Sequence, residues 1–88
     1  MTYSIVMSRS ARRRLTEQLP EPVAVACLEF ILGPLAANSQ RVGAPLREPF
    51  LGDYRARRGE YRVRYRIDDG QHRVLVLDVE HRRDAYRS

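Results

Sequence analysis

Arginines at alternate positions are the residues of this chain best placed to do chemistry. Between Tyr61 and Asp68 (YRVRYRID) arginine alternates with tyrosine or an aliphatic residue, at the period of two that strands show. On a strand, that spacing sends Arg62, Arg64 and Arg66 to one face and Tyr61, Val63, Tyr65 and Ile67 to the other. By the same parity Arg55 and Arg57 share a face on the segment before it. Guanidinium groups stay charged at neutral pH and carry forked donors that match phosphate oxygens. A row of them can hold a polyanion, RNA above all. It can also stabilise the charge that builds on the equatorial and leaving oxygens when a phosphodiester is attacked in line. Every cation here is arginine; the chain has no lysine.

The elements that must position these side chains can be read from either end of the chain. Tyr3–Met7 (YSIVM) is predicted to be a short first strand, rich in β-branched and aromatic residues. Ser8 fits the N-cap of a helix over about 9–18, with Ala11, Leu15 and Leu19 on one stripe and Arg12, Arg13 and Arg14 on the solvated side. Leu19-Pro20-Glu21-Pro22 breaks that helix and Pro22 suits the first turn of a second, over about 22–32, which Gly33-Pro34 stops or kinks. That second helix is apolar nearly all round, with Glu29 its only charge. One side can bury against a sheet, and the other needs the first helix or a partner. Residues 38–52 carry Gly43, Pro45, Pro49 and Gly52 and are expected to be a connecting loop. Three strands follow, over about 54–57, 61–67 and 74–80. Gly59 turns the first pair and Asp69-Gly70, a strong hairpin signal, turns the second. The run VLVLDV is nearly continuously apolar, as a strand covered on both faces would be. The order β-α-α-β-β-β predicts an α+β fold: a twisted, mostly antiparallel sheet with two helices on one face and an open, arginine-rich face.

Size and charge agree with this. Eighty-eight residues are expected to make one domain, 1–88, with one modest core. The formal charge of +5 and the sequence pI of about 10.1 bias the partner toward nucleic acid or an acidic protein. Nine of the sixteen arginines (55, 57, 58, 62, 64, 66, 73, 82 and 83) and four of the five tyrosines lie between Tyr54 and Tyr86. The lone Cys27, within VAVACLEFIL, reads as a small buried residue and fits a reducing cytoplasm. No secretory signal and no apolar run long enough to span a bilayer is visible, so no membrane partner is expected. His72 and His81 are too few and too far apart to suggest zinc, and no glycine-rich phosphate loop follows a strand. Neither metal nor cofactor is expected. Arg82 has the strand parity of Asp78 and Glu80. If those acids pair with the neighbouring arginines, the face becomes a salt-bridge lattice instead of a site.

Several segments together, Gly52-Asp53-Tyr54-Arg55-Ala56-Arg57, Gly59-Glu60-Tyr61-Arg62-Val63-Arg64-Tyr65, the Asp68-Asp69-Gly70 turn and Val79-Glu80-His81-Arg82-Arg83-Asp84-Ala85-Tyr86, resemble the RelE toxins of bacterial type II toxin–antitoxin modules. The likeness is strongest to actinobacterial members and covers almost the whole chain. It implies a ribosome-dependent endoribonuclease, an mRNA interferase that cuts messenger RNA in the decoding site without a metal. The ribose 2′-hydroxyl attacks the adjacent phosphate, leaving a cyclic phosphate and a free 5′-hydroxyl. On the matching positions it implies catalytic roles for Arg55, Arg57, Arg62, Arg82 and Tyr86, with Arg58, Arg64, Arg66 and Arg83 binding RNA. It also implies a cognate acidic antitoxin, RelB-like or similar, and a cytoplasmic toxin–antitoxin hetero-oligomer.

Proton transfer is where this set departs from the family, which often has lysines at the positions of Arg55 and Arg57. Arginine does not readily accept the 2′-hydroxyl proton. Glu60, His81 and Asp84 are the candidate acceptors, His81 first because an unperturbed imidazole titrates near neutrality. Two other classes fit the fold. A ParE-like toxin would inhibit gyrase and cut no RNA. A plain RNA-binding module would hold nucleic acid through Arg62, Arg64 and Arg66, with steep salt dependence.

Overall fold

A computed structural model of the chain describes residues 2–81. Its first strand, β1 (Ser4–Met7), leads directly into a helix that opens as α1 (Arg9–Arg13) and continues as a π-helical segment, Arg14–Gln18. Ser8 caps it: the Ala11 N–H donates to Ser8 Oγ at 3.1 Å, and that hydroxyl donates to the Leu77 carbonyl at 2.6 Å, tying the helix start to the sheet. The Leu19 N–H closes the widened turn on the Arg14 carbonyl at 2.9 Å.

The second helix, α2 (Glu21–Phe30), has Pro22 in its first turn, as expected, but it does not end at Gly33-Pro34. It runs on as a π-helical segment, Ile31–Leu35, with Pro34 inside it. Proline lacks an N–H and its ring crowds the preceding turn. A wider turn accommodates both facts, and the Asn38 N–H resumes the ladder on the Pro34 carbonyl at 2.8 Å. Within 38–52, expected to be loop throughout, a two-residue strand β2 (Ala44–Pro45) forms. Then come β3 (Tyr54–Arg58), β4 (Tyr61–Asp68) and β5 (Arg73–His81).

The five strands lie in the order β1-β5-β4-β3-β2. β1 is parallel to β5 and the other pairs are antiparallel. Gly59, at φ +53, opens the two-residue turn between β3 and β4. The second turn is a hairpin too, but a four-residue one. Asp68 pairs with Arg73, and the left-handed residue is His72 (φ +51), not Gly70.

One core forms between the helices and one sheet face. Val23, Cys27, Phe30, Ile31 and Leu35 pack there against Ala56, Tyr61, Val63, Tyr65, Val74, Val76 and Val79. The Tyr65 side chain is fully buried and its hydroxyl donates to the Ser39 carbonyl at 2.5 Å. Burial pushes that phenol up to about 12, and the Cys27 thiol likewise up to about 12. Cys27 is thus the buried residue expected. The far side of α2 stays bare: Val25, Leu28 and Leu32 are 51%, 40% and 57% exposed. No helix among the described residues is long and apolar enough to cross a membrane.

Candidate phosphate-binding face

Register turns the strand parities into a lattice on the sheet face that the helices leave open. Arg57 stands opposite Arg62, and Arg55 opposite Arg64. Across β4, Arg62 is opposite Glu80, Arg64 opposite Asp78 and Arg66 opposite Leu75. Their neighbours in sequence, Tyr61, Val63, Tyr65 and Ala56, are buried beneath the helices. Arg55, Arg57, Arg62, Arg64 and Arg66 therefore do share one face, as alternation predicts.

They are not equivalent. Asp53, 2% exposed, lies just before β3 and takes both arginines at one end of the lattice. Arg64 Nη1 donates to its Oδ2 at 2.9 Å and Arg66 Nε to its Oδ1 at 2.9 Å. Asp78 stands opposite Arg64 but faces elsewhere. Its Oδ1 accepts the Val79 N–H at 2.9 Å and lies 3.5 Å from Arg14 Nε. Among the described residues no ion pair joins Arg55, Arg57 or Arg62 to a carboxylate. The salt-bridge lattice foreseen from Asp78 and Glu80 forms at one end only, through a different acid.

Two other expectations fall on the wrong side of the sheet. Arg58 pairs opposite Tyr61, on the helix-covered side, and its guanidinium carbon sits 4.7 Å from the centroid of the Phe30 ring. It packs on the core edge and does not join the open face. His81 also pairs opposite Tyr61, one residue out of phase with Arg62, so parity turns it away from the cluster that a proton acceptor must serve. Glu80 is in phase and half-buried. Arg82, Arg83 and Tyr86 lie outside the described residues, as does Asp84.

Asp53 and Phe50 were not among the sequence candidates. A single acid ahead of an arginine run offers no periodic signal, and its partners lie 11 and 13 residues away. Phe50 sits in an aperiodic loop.

A small α+β domain with two helices on one face of a five-stranded mixed sheet has the architecture of the RelE toxins. The chain matches the family described as the ParE toxin of type II toxin–antitoxin system, parDE, over residues 5–86, and it belongs to that family. It is 47% identical over 85 residues to Toxin RelE of Mycobacterium tuberculosis, covering 97% of this chain and 87% of that one. To Toxin RelG of the same organism it is 45% identical over 87 residues, covering 99% of each. The toxin–antitoxin complex RelBE2 from M. tuberculosis contains a chain superposing with TM-score 0.89 at 43% identity, over 93% of this chain and 100% of that chain. The isolated E. coli RelE toxin shares the fold, with TM-score 0.71 at 17% identity over 90% of this chain and 83% of that chain.

Proposed function

We propose that this chain is the toxin of a type II toxin–antitoxin module and acts as a metal-independent endoribonuclease on messenger RNA in the ribosomal decoding site. The observation that carries the reading is the trio Arg55, Arg57 and Arg62, gathered on one open face without a carboxylate partner among the described residues. Like charges directly opposite across strands are destabilising, so packing gives no reason for them. A phosphate between them does.

In the proposed reaction the 2′-oxygen bonds to phosphorus, the bond to the 5′-oxygen breaks, and one proton leaves the first oxygen while another reaches the second. Arg57 and Arg62 neutralise the charge on the equatorial oxygens and Arg55 extends the clamp along the backbone. Glu80, in register with Arg62, replaces His81 as the side chain placed to accept the 2′-hydroxyl proton. Arg82 and Tyr86 keep the roles that the resemblance implies.

A cognate antitoxin, acidic and amphipathic, would cover the bare side of α2 and neutralise the arginine face. The groove between the helices, lined by Met7, Leu15, Leu19, Ala24, Val25 and Leu28, has a volume of about 550 Å³. The toxin–antitoxin complex RelBE2, which contains the similar chain, supports an antitoxin partner.

The test is incubation with translating ribosomes and mapping of message ends. Cuts within the decoding codon are expected, and Arg62→Ala should slow them about 100-fold or more, as loss of one preorganised charge-stabilising donor does. Full activity in that variant would remove the phosphate clamp. The family description favours a second reading, a ParE-like gyrase inhibitor. It predicts intact message together with inhibited supercoiling.

A further inference from the structure

The open face carries an exposed aromatic ring among its arginines. Phe50 is 42% exposed and its neighbour Leu51 is 70% exposed. The ring is held. The Arg64 guanidinium carbon lies 4.9 Å from its centroid, and that guanidinium is fixed in turn on buried Asp53. The backbone is held as well. The Asp53 N–H donates to the Phe50 carbonyl at 3.0 Å and the Phe50 N–H to the Arg47 carbonyl at 2.9 Å. A tight turn therefore presents the ring beside the lattice, with a cation over it and the remainder in solvent. A buried carboxylate and an arginine thus orient an aromatic that remains 42% exposed.

We propose that Phe50 is a nucleobase-stacking platform: it takes the π-face of one unpaired base of a single-stranded RNA whose backbone lies on Arg55, Arg57 and Arg62. This rests on the RNA reading given above. Arg62 and Arg64 are alternate residues of β4, about 7 Å apart along the strand. A phosphate clamped at Arg57 and Arg62 thus has a neighbouring base within reach of the ring that Arg64 orients. Stacking on an aromatic is tolerant of base identity, so the platform holds the strand in place and does not select its sequence. A polyanion suits this face better than an apolar protein segment does, because the ring lies against Arg64 and Arg55 stands opposite Arg64 across the strands.

The chain has no tryptophan, which makes a direct readout available. Phe50→Trp introduces a single indole whose fluorescence should be quenched on titration with a short single-stranded RNA, at near wild-type affinity. Phe50→Leu keeps apolar bulk but has no ring, and it should bind that RNA about tenfold more weakly. The slope of log affinity against log salt should not change, since no charge is removed. In a series of the same RNA with one abasic position each, a single position should abolish the difference between wild type and Phe50→Leu. The proposal is overturned if Phe50→Leu binds every RNA like wild type, or if its loss is the same at every abasic position. Either result leaves the apolar patch to a protein partner. If wild-type protein binds no RNA, the platform falls, and the nuclease reading stands or falls separately on cleavage by translating ribosomes. If Arg62→Ala weakens binding and Phe50→Leu does not, only the platform falls.

Discussion

Replacing Asp53 by asparagine keeps the shape of the side chain and removes the charge that holds two arginines. The Asp53 side chain is 3% exposed, and each of its oxygens lies 2.9 Å from a guanidinium nitrogen, on Arg64 (27% exposed) and Arg66 (57% exposed). The Arg66 pair is wet enough to be treated as a surface pair, worth about 0–1 kcal/mol. The Arg64 pair is mostly out of water, and removing one partner of a buried pair costs about 3–5 kcal/mol. Arg64 can turn part of its charge into solvent, and the asparagine oxygen still accepts one hydrogen bond. Asp53→Asn should therefore lose about 2 kcal/mol and Arg66→Ala less than about 1 kcal/mol. In a chain of this size, 2 kcal/mol lowers the unfolding midpoint by about 8–16 °C. Thermal or urea unfolding followed by circular dichroism measures both. A second readout follows from the charge released. Two freed guanidiniums should steepen the salt dependence of single-stranded RNA binding by as much as about 1.4 in log–log slope. An Asp53→Asn protein within about 0.5 kcal/mol of wild type, or an Arg66→Ala protein as unstable as it, would refute this reasoning.

Two further outcomes concern the core behind the face. A Cβ at Gly43 would meet the Tyr65 hydroxyl and lie 2.8 Å from the Arg55 carbonyl oxygen. Gly43→Ala should therefore cost about 1–3 kcal/mol in urea unfolding. Tyr65→Phe, which strands the Ser39 carbonyl, should cost about 1–2 kcal/mol. The double variant should be more stable than the sum of the two, because one change removes the atom that the other strikes. Stability should also fall at alkaline pH. Cys27 and Tyr65 are held up to about 12 in the folded chain, from ordinary values of 9.0 and 10.0, so the unfolded chain loses those protons first. The contribution is whole below pH 9 and is lost as pH rises from 9 toward 12, by at most about 1.4 kcal/mol per pH unit per group. Cys27→Ala should flatten the stretch between pH 9 and 10 in unfolding titrations.

Where side chains repeat locally, sequence was a good guide to place. The alternation in β4 and the parity of Arg55 and Arg57 put five arginines on the open face, because a strand has only two faces and the tyrosines claim the dry one. Ser8, Pro22 and Gly59 took the cap, first-turn and hairpin positions that their chemistry prescribes. Legibility failed where the outcome depended on something distant. Gly33-Pro34 ends a helix by local rules, yet the buried pair Ile31 and Leu35 holds the chain helical through a widened turn. Adjacency in sequence groups Arg58 with the site, and the chemistry of an unperturbed imidazole groups His81 with it. Register separates them, since adjacency on a strand means opposite faces. Asp53 was hidden because its charge matters only once a loop is folded beneath a strand 11 residues further on.

The distribution of acids divides this face, among the described residues, into a paired end and an unpaired one. Three rows cross it. In one, Asp53 neutralises Arg66 and reaches Arg64. In the next, Arg55 faces Arg64, while Asp78 is drawn off the face by Arg14 and by the N–H of Val79. In the last, Arg57 faces Arg62 with Glu80 beyond it. Arg66 and Arg64 are thus compensated by Asp53, whereas Arg55, Arg57 and Arg62 have no ion pair to a carboxylate among the described residues. Opposed guanidiniums repel unless an anion lies between them, so the last two rows are where the proposed polyanion belongs. The paired end serves a different purpose. A guanidinium fixed on a buried carboxylate cannot follow a ligand, so in the proposed reading the ring it orients is a fixed reference for the bound strand.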